Sequence, residues 1–323
     1  MLSFSTGNRL VFRSIHSLMK FNLRFIFFYC ILVSGTYAKD SEPLPTFAGP
    51  AMGTTYRVTL KAPIPNRSLH DVHRDIDLLL QEIDLSLSTW RDDSVASRLN
   101  HAQAHTPIQL DRHMTAVFQI SKNLHRRTKG HFDITAAPLI TWWKQQDVTR
   151  DVPSNTLLPL AAPPELMRLV GFSNLRLDTI NDSEYPSLRK THAAVAIDLS
   201  GIGAGYAVDK IGEYLESLGS AAHLVELGGE VRAWGQPSPF YNWRVTLRVN
   251  ETTPPEIISL EHGQALAAST SVRGHWVVNP ITGTIARVSP SAMPVVAYAP
   301  TCAEADGLAT AKVLETAQHN TKD

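Results

Sequence analysis

Between Ala194 and Gly235 the chain reads AVAIDLSGIGAGYAVDKIGEYLESLGSAAHLVELGGEVRAWG, and this stretch constrains the fold more than any other. Its pattern predicts an apolar strand ending at Asp198, a glycine-rich turn, a helix from about Tyr206 to Leu218, and a second strand running into Gly228-Gly229. A strand that hands over to a helix through glycines aims unpaired backbone N–H groups and the helix N-terminus at whatever lies in front of them. A phosphorylated ligand suits such a place. The dinucleotide fingerprint G-x-G-x-x-G is not met, because Gly201 and Gly203 are followed by Gly205 and then Tyr206. The acidic residue also precedes the turn, whereas the fingerprint wants one about twenty residues beyond it. On this stretch alone, a βα turn whose glycines only relieve steric crowding is the alternative.

With 323 residues and 43% apolar content, the chain can bury one large core or two intimate ones. Lys+Arg and Asp+Glu both number 30, so the balance lacks the basic excess expected of a nucleic-acid binder. No low-complexity run or fixed-period repeat is present.

The amino end reads as a targeting segment. Lys20 and Arg24 carry positive charge, Phe25 to Val33 is an apolar run of nine residues, and Ser34 to Ala38 offers small residues for cleavage. The run is short against the roughly 20 residues a spanning helix needs. The expectation is a signal region over residues 1–38, with the true start at Met1 or Met19, and an exported, periplasmic domain over residues 39–323; an uncleaved inner-membrane anchor is the alternative. Without that segment Cys302 is the one cysteine left, so no intramolecular disulfide is expected. A small buried hydrophobe is its simplest role.

Phe47 to Leu60 carries the signal of a strand pair, and Ser68 caps an amphipathic helix in which Leu69, Val72, Ile76, Leu79, Leu80, Ile83 and Leu87 recur at helical spacing. His70 and His73 fall on its wet face. A second helix is expected from about Met114 to Thr128, then a helical piece with Trp142 and Trp143. Residues 147–187 are proline-rich and read as a surface excursion with a short helix near Glu165 to Val170.

Seven short motifs occur in order along the chain. They are Met52-Gly53-Thr54; Ser88-Thr89-Trp90 with Ser94 to Asn100; Gly130 to Thr135 with Pro138; Asp198 to Ile202 with Gly205 to Asp209; Gly228-Gly229-Glu230 with Gly235; Asn279 to Gly283; and Thr301 to Asp306 with Ala309-Thr310. Together they resemble the ApbE family of FAD:protein FMN transferases, over nearly all of the chain past the signal region.

The resemblance implies an α+β fold, with mixed sheets and packed helices forming one globular unit around a flavin cleft. It implies cleavage of the FAD pyrophosphate and transfer of FMN onto a threonine hydroxyl of an acceptor flavoprotein, such as a subunit of a membrane-linked redox complex, with AMP released. It assigns Mg²⁺ to Asp306, Thr310 and the carbonyl of Gly201. Asp306 and Thr310 lie four apart on a predicted helix, so their oxygens share one face, and Mg²⁺ accepts such an oxygen set with waters and phosphates completing it. It lines FAD with Met52, Trp90, His131, Phe132, Asp133, Asp198 and the position of Ala204, and gives catalytic roles to His275 and Asp306.

Three departures stand out. Many members read G-I-x-K-G where this chain has Ala204, which removes a cation near the cofactor. Most read H-I-I-D-P where this chain reads His275-Trp276-Val277-Val278-Asn279-Pro280. Aligned on the proline, Trp276 takes the family's histidine slot and Asn279 replaces Asp. His275 reaches that face only through a bulge or a one-residue shift. The alternatives to a transferase are therefore an FAD-binding or storage protein, or a slow FAD pyrophosphatase, that has lost transfer, and a secreted module whose glycine turn holds a different phosphorylated ligand.

Overall fold

The computed structural model describes residues 43–146, 161–179, 184–247, 254–269, 276–287 and 294–319. The proposed signal region and His275 lie outside them.

The strand-pair signal near the start becomes β1 (Thr46–Ala51) and β2 (Thr54–Leu60), an antiparallel hairpin. Met52 and Gly53 turn it with φ of 49° and 79°, the two positive values that a tight hairpin turn matched to strand twist requires. Three helices follow among the next elements: α1 (Leu69–Leu87), capped by the Ser68 hydroxyl, α2 (Val95–His101), capped by Ser94, and, after the short β3 (Ile108–Gln109), α3 (Arg112–Arg127), capped by Asp111. A 3₁₀ turn at Ile134–Ala136 leads into α4 (Ala137–Gln145).

The proline-rich excursion holds more regular structure than its composition predicts. The expected short helix is α5 (Pro164–Met167), but β4 (Leu175–Asp178) and β5 (Ser187–Lys190) pair with β3 in a small antiparallel sheet of order β3-β5-β4.

The stretch from Ala194 onward departs from expectation at its start. Residues 195–199 form no strand, although Val195, Ile197 and Leu199 are buried alternately. Side chains and a neighbouring turn satisfy this backbone instead of a ladder. Asn100 clamps Ile197 from both sides, its amide donating to the Ile197 carbonyl at 2.9 Å and its oxygen accepting the Ile197 N–H at 2.7 Å. The Asp198 N–H donates to the Ile134 carbonyl at 2.7 Å. Lys190, fully buried, donates to the carbonyls of Asn100, Ala193 and Val195 at 2.6 to 2.9 Å. Three carbonyls around one ammonium replace the water it has lost.

The helix then begins inside the glycines, as α6 (Gly203–Ser217). It is followed by β6 (His223–Leu227), β7 (Glu230–Trp234), β8 (Trp243–Leu247), β9 (Glu256–Leu260), β10 (Ala265–Ser269), β11 (Trp276–Val278), β12 (Ile285–Arg287), β13 (Val295–Ala299) and α7 (Cys302–His319). The main sheet has the order β1-β2-β6-β7-β10-β13, with every neighbouring pair antiparallel. Alternation sorts its two faces. Val225, Leu227, Trp234, Ala265 and Ala267 join the helices in the main core, while Leu224, Val231, Ala233 and Leu266 pack on the β8–β9 hairpin. The sheet is thus sandwiched between a helical layer and a hairpin, an α+β arrangement. A third cluster, Leu139, Trp143, Ala162, Val278 and Ile285, joins α4 to the β11–β12 hairpin.

α6 and α7 approach closely because of glycine. A Cβ on Gly205 would lie 2.3 Å from the Cys302 carbonyl oxygen, closer than real Cβ atoms come. No helix among the described residues is long and apolar enough to cross a membrane.

Candidate active site

A cavity of about 970 Å³ opens where the helical layer, the end of the main sheet and the β11–β12 hairpin meet, a volume at the upper end of the roughly 300–1,000 Å³ usual for ligand pockets. His131, Phe132 and Asp133 form one wall with α4. Asp198, Ser200 and Gly201 supply another, Gly228, Glu230, Ala268 and Ser269 come from the sheet, Trp276 to Val278 from β11, and Asp306, Ala309 and Thr310 from α7. The glycine turn and the first turns of α7, which sequence patterns place a hundred residues apart, share one cavity.

The metal candidates converge. A Cβ on Gly201 would sit 2.9 Å from the Thr310 hydroxyl oxygen, so the glycine turn and that hydroxyl are in contact. Asp306 is 6% exposed, and one carboxylate oxygen accepts the Gly205 N–H at 3.2 Å. Burial raises the Asp306 carboxyl to about 7, with the Gly205 hydrogen bond pulling the other way.

Glu230 belongs to the same group and was not marked as a site residue from sequence. As the first residue of β7 it shares the helix-side face with Arg232 and Trp234. Burial first, and the Asp306 charge second, push its carboxyl well above the usual range. Its side chain makes no ion pair and bonds to no other residue among the described residues. The signal that could have found it is the register: Gly228-Gly229 turns the chain from β6 into β7, so the next residue stands at the sheet's end, opposite Leu227.

Of the residues expected to line FAD, Trp90, His131, Phe132, Asp133 and Asp198 do face the cavity. Trp90 stands at its rim, 90% exposed. Phe132 is buried against the spaces left by Gly201 and Gly307. Asp133 Oδ1 accepts both the N–H and the hydroxyl of Thr135, at 2.8 and 2.6 Å, while its Oδ2 lies 3.1 Å from His125 Nδ1. That carboxylate raises the imidazole of His125, a partner that its position on α3 did not announce. His131 is tied through Nδ1 to the Thr128 carbonyl, 2.9 Å away. Asp198 Oδ1 caps its own turn, accepting the Ser200 N–H at 2.9 Å.

Met52 and Ala204 are not brought to the cavity wall. Met52 packs on the main core, its methyl 3.3 Å from where a Gly203 Cβ would be, and Ala204 packs on that core as well. The lysine-to-alanine departure therefore removes a residue whose backbone lies behind the wall.

The other departures separate. Trp276 lines the cavity and packs on the α4 cluster. Asn279 is buried and turned into the β11–β12 hairpin, where its side-chain oxygen accepts the N–H groups of Ile281 and Thr282 at 2.9 and 3.3 Å. Asp and Asn perform that task alike, so this substitution concerns the turn.

Asp133, Asp198, Glu230 and Asp306 make the cavity acidic, with Lys144 the one Lys or Arg on its wall among the described residues. Among the described residues, no cluster of three or more His, Cys, Asp or Glu side chains forms a metal cage there. Two carboxylates, a hydroxyl and a carbonyl suit a hard, oxygen-seeking cation that keeps waters and shares phosphate oxygens, and do not suit zinc.

The ApbE family model matches residues 52–321. The chain is 30% identical, over 296 residues covering 85% of it and 84% of the relative, to the FAD:protein FMN transferase of Haemophilus influenzae. It is similar in structure to the flavin transferase ApbE from Vibrio cholerae, with a TM-score of 0.68 and 26% identity over 86% of this chain and 91% of that one. A third likeness is to the apo form of the Pseudomonas stutzeri flavinyl transferase ApbE, with a TM-score of 0.66 and 27% identity over 84% of each chain.

Proposed function

The chain belongs to the ApbE family, and from that premise we propose that it is an exported, Mg²⁺-dependent FAD:protein FMN transferase. It moves FMN from FAD onto a threonine hydroxyl of a periplasmic or membrane-linked redox protein and releases AMP. The observation that carries this reading is the convergence of Gly201, Asp306 and Thr310 on a cavity also walled by His131 to Asp133.

Electrostatics supports the cation. An anionic pyrophosphate in a cavity lined by carboxyl groups gains from an accompanying cation, which also favours the ionised forms of Asp306 and Glu230 that burial disfavours. Asp306, Thr310 and the Gly201 carbonyl would hold Mg²⁺, with Glu230 facing the same space. When bound, the ion supplies charge neutralisation for the phosphoryl group in transit.

The chain's own residues do the rest. Asp133 is held rigid by Thr135 and His125 and presents a fixed acceptor to the ligand. Trp90, at the rim, offers a face for stacking on a flat ring. Transfer requires the acceptor hydroxyl to lose its proton as its oxygen bonds to the FMN phosphorus and the bond to AMP breaks.

Trp276 favours a second reading. An indole on the wall where the family places a histidine takes up no proton, which supports an FAD-binding protein or slow FAD pyrophosphatase. Incubating the purified protein with FAD, Mg²⁺ and a threonine-bearing acceptor, followed by mass spectrometry, separates the two. FMN on the threonine supports the transferase; AMP release or bound flavin without covalent FMN supports the second reading; no flavin binding overturns both.

A further inference from the structure

Ala137, Ile140, Thr141 and Lys144 are the residues that α4 turns toward the cavity, a spacing that puts all four on one helical face. The opposite face is anchored. Leu139 and Trp143 are fully buried, and the Trp143 indole N–H donates to the Gly283 carbonyl at 2.9 Å. α4 therefore cannot roll to carry Lys144 away. The helix starts beside buried Ala136 and ends exposed, so Lys144, seven residues past Ala137 and about 10 Å further along the axis, overlooks the cavity from its open side.

Among the described residues its charge is unmatched. Asp133 has His125 beside it and Asp198 caps its turn, whereas the Lys144 ammonium makes no ion pair or hydrogen bond among the described residues. It faces a cavity whose acidic wall residues, among those described, are Asp133, Asp198, Glu230 and Asp306.

We infer that Lys144 binds the pyrophosphate of FAD, supplying from α4 a positive charge at the cavity; this rests on the FAD reading above. Lysine in the last turn of a helix also complements the helix dipole, and the test must separate that role from ligand binding.

FAD is titrated onto the full-length protein, wild type, Lys144→Gln and Lys144→Arg, at low and high salt, with the melting temperature of each ligand-free protein as control. The expected result is about tenfold weaker FAD binding for Lys144→Gln, with Lys144→Arg within about threefold of wild type. The gap should narrow at high salt, and the ligand-free melting temperatures should agree. Unchanged affinity in Lys144→Gln overturns the inference, as does equal weakening in both variants, which marks packing and not charge. FAD that fails to bind wild type overturns the FAD reading and this inference together. FAD binding that depends on Lys144 without FMN transfer overturns only the transferase reading.

Discussion

Asp209, on α6, accepts the backbone N–H of Cys302 at 2.9 Å with one carboxylate oxygen and that of Ala303 at 2.9 Å with the other, so one helix caps the N-terminus of the next. Arg232 of β7 donates to the same carboxylate at 2.6 Å. Burial raises the Asp209 carboxyl, and these partners pull it down. The helix so capped carries Asp306 and Thr310, so the cap sets where the metal candidates stand. Asp209→Ala should cost about 3–5 kcal/mol, because it strands Arg232 and two helix N–H groups, and should weaken FAD binding as well; urea unfolding and FAD titration check both.

Asp306→Asn should separate stability from function. It removes a carboxyl whose charged form burial disfavours and whose charge pushes Glu230 up, so the ligand-free protein should unfold at higher urea than wild type. The Mg²⁺-induced rise in melting temperature should vanish, and Mg²⁺-dependent AMP release should fall by about a hundredfold or more, as it should in wild type treated with a chelator. Full activity under chelation would remove the metal assignment.

Trp276→His should raise FMN transfer, since it returns a proton-accepting group to the cavity wall. Covalent FMN per hour, by mass spectrometry, is the readout. An unchanged rate would instead favour a shifted strand in which His275 does the work.

Gly205→Ala should destabilise the protein, because its Cβ would meet the Cys302 carbonyl at 2.3 Å and force α6 and α7 apart. A loss of about 1–3 kcal/mol is expected from such overpacking, and thermal unfolding measures it. Gly219→Ala, where nothing lies within 4 Å, serves as the comparison, its cost confined to backbone strain at φ 82°.

His223 sets an acid limit. It is fully buried and stacked on Trp234 at 4.8 Å, and burial pushes its imidazole down from 6.5 to about 4. The unfolded chain therefore binds a proton that the folded chain refuses. The contribution is fully present above pH 6.5, is lost as pH falls toward 4, and amounts to roughly 3 kcal/mol. Urea midpoints of wild type should drop across this window, and those of His223→Gln should drop less.

Much of the site was legible because its residues sit in short motifs whose chemistry is local. Helical spacing puts Asp306 and Thr310 on one face, the family resemblance makes that face a metal candidate, and both residues line the cavity. Asp198 lines the cavity although the strand expected to lead to it does not form: alternating burial is the same signal whether a sheet or an Asn100 clamp satisfies the backbone. Glu230 and Lys144 were missed because each becomes a site residue only through the orientation of a sheet face or a helix face. At Asn279 the family pattern sets Asn against Asp, and only the hairpin geometry shows that the side chain serves the turn.

Local pattern by itself determined the longer helices, the strand pair within Phe47 to Leu60, the glycine turn before α6 and the residue types able to meet a phosphate and a cation, since propensity, capping and periodicity act over a few residues. Only the tertiary structure decided that the turn at Gly201 touches Thr310, that Ala204 stands behind the wall while Trp276 stands on it, and that four carboxylates share one cavity with a single lysine among the described residues. Those relations join segments a hundred residues apart, and they follow from how the sheet, α4 and α7 pack, which no local pattern encodes.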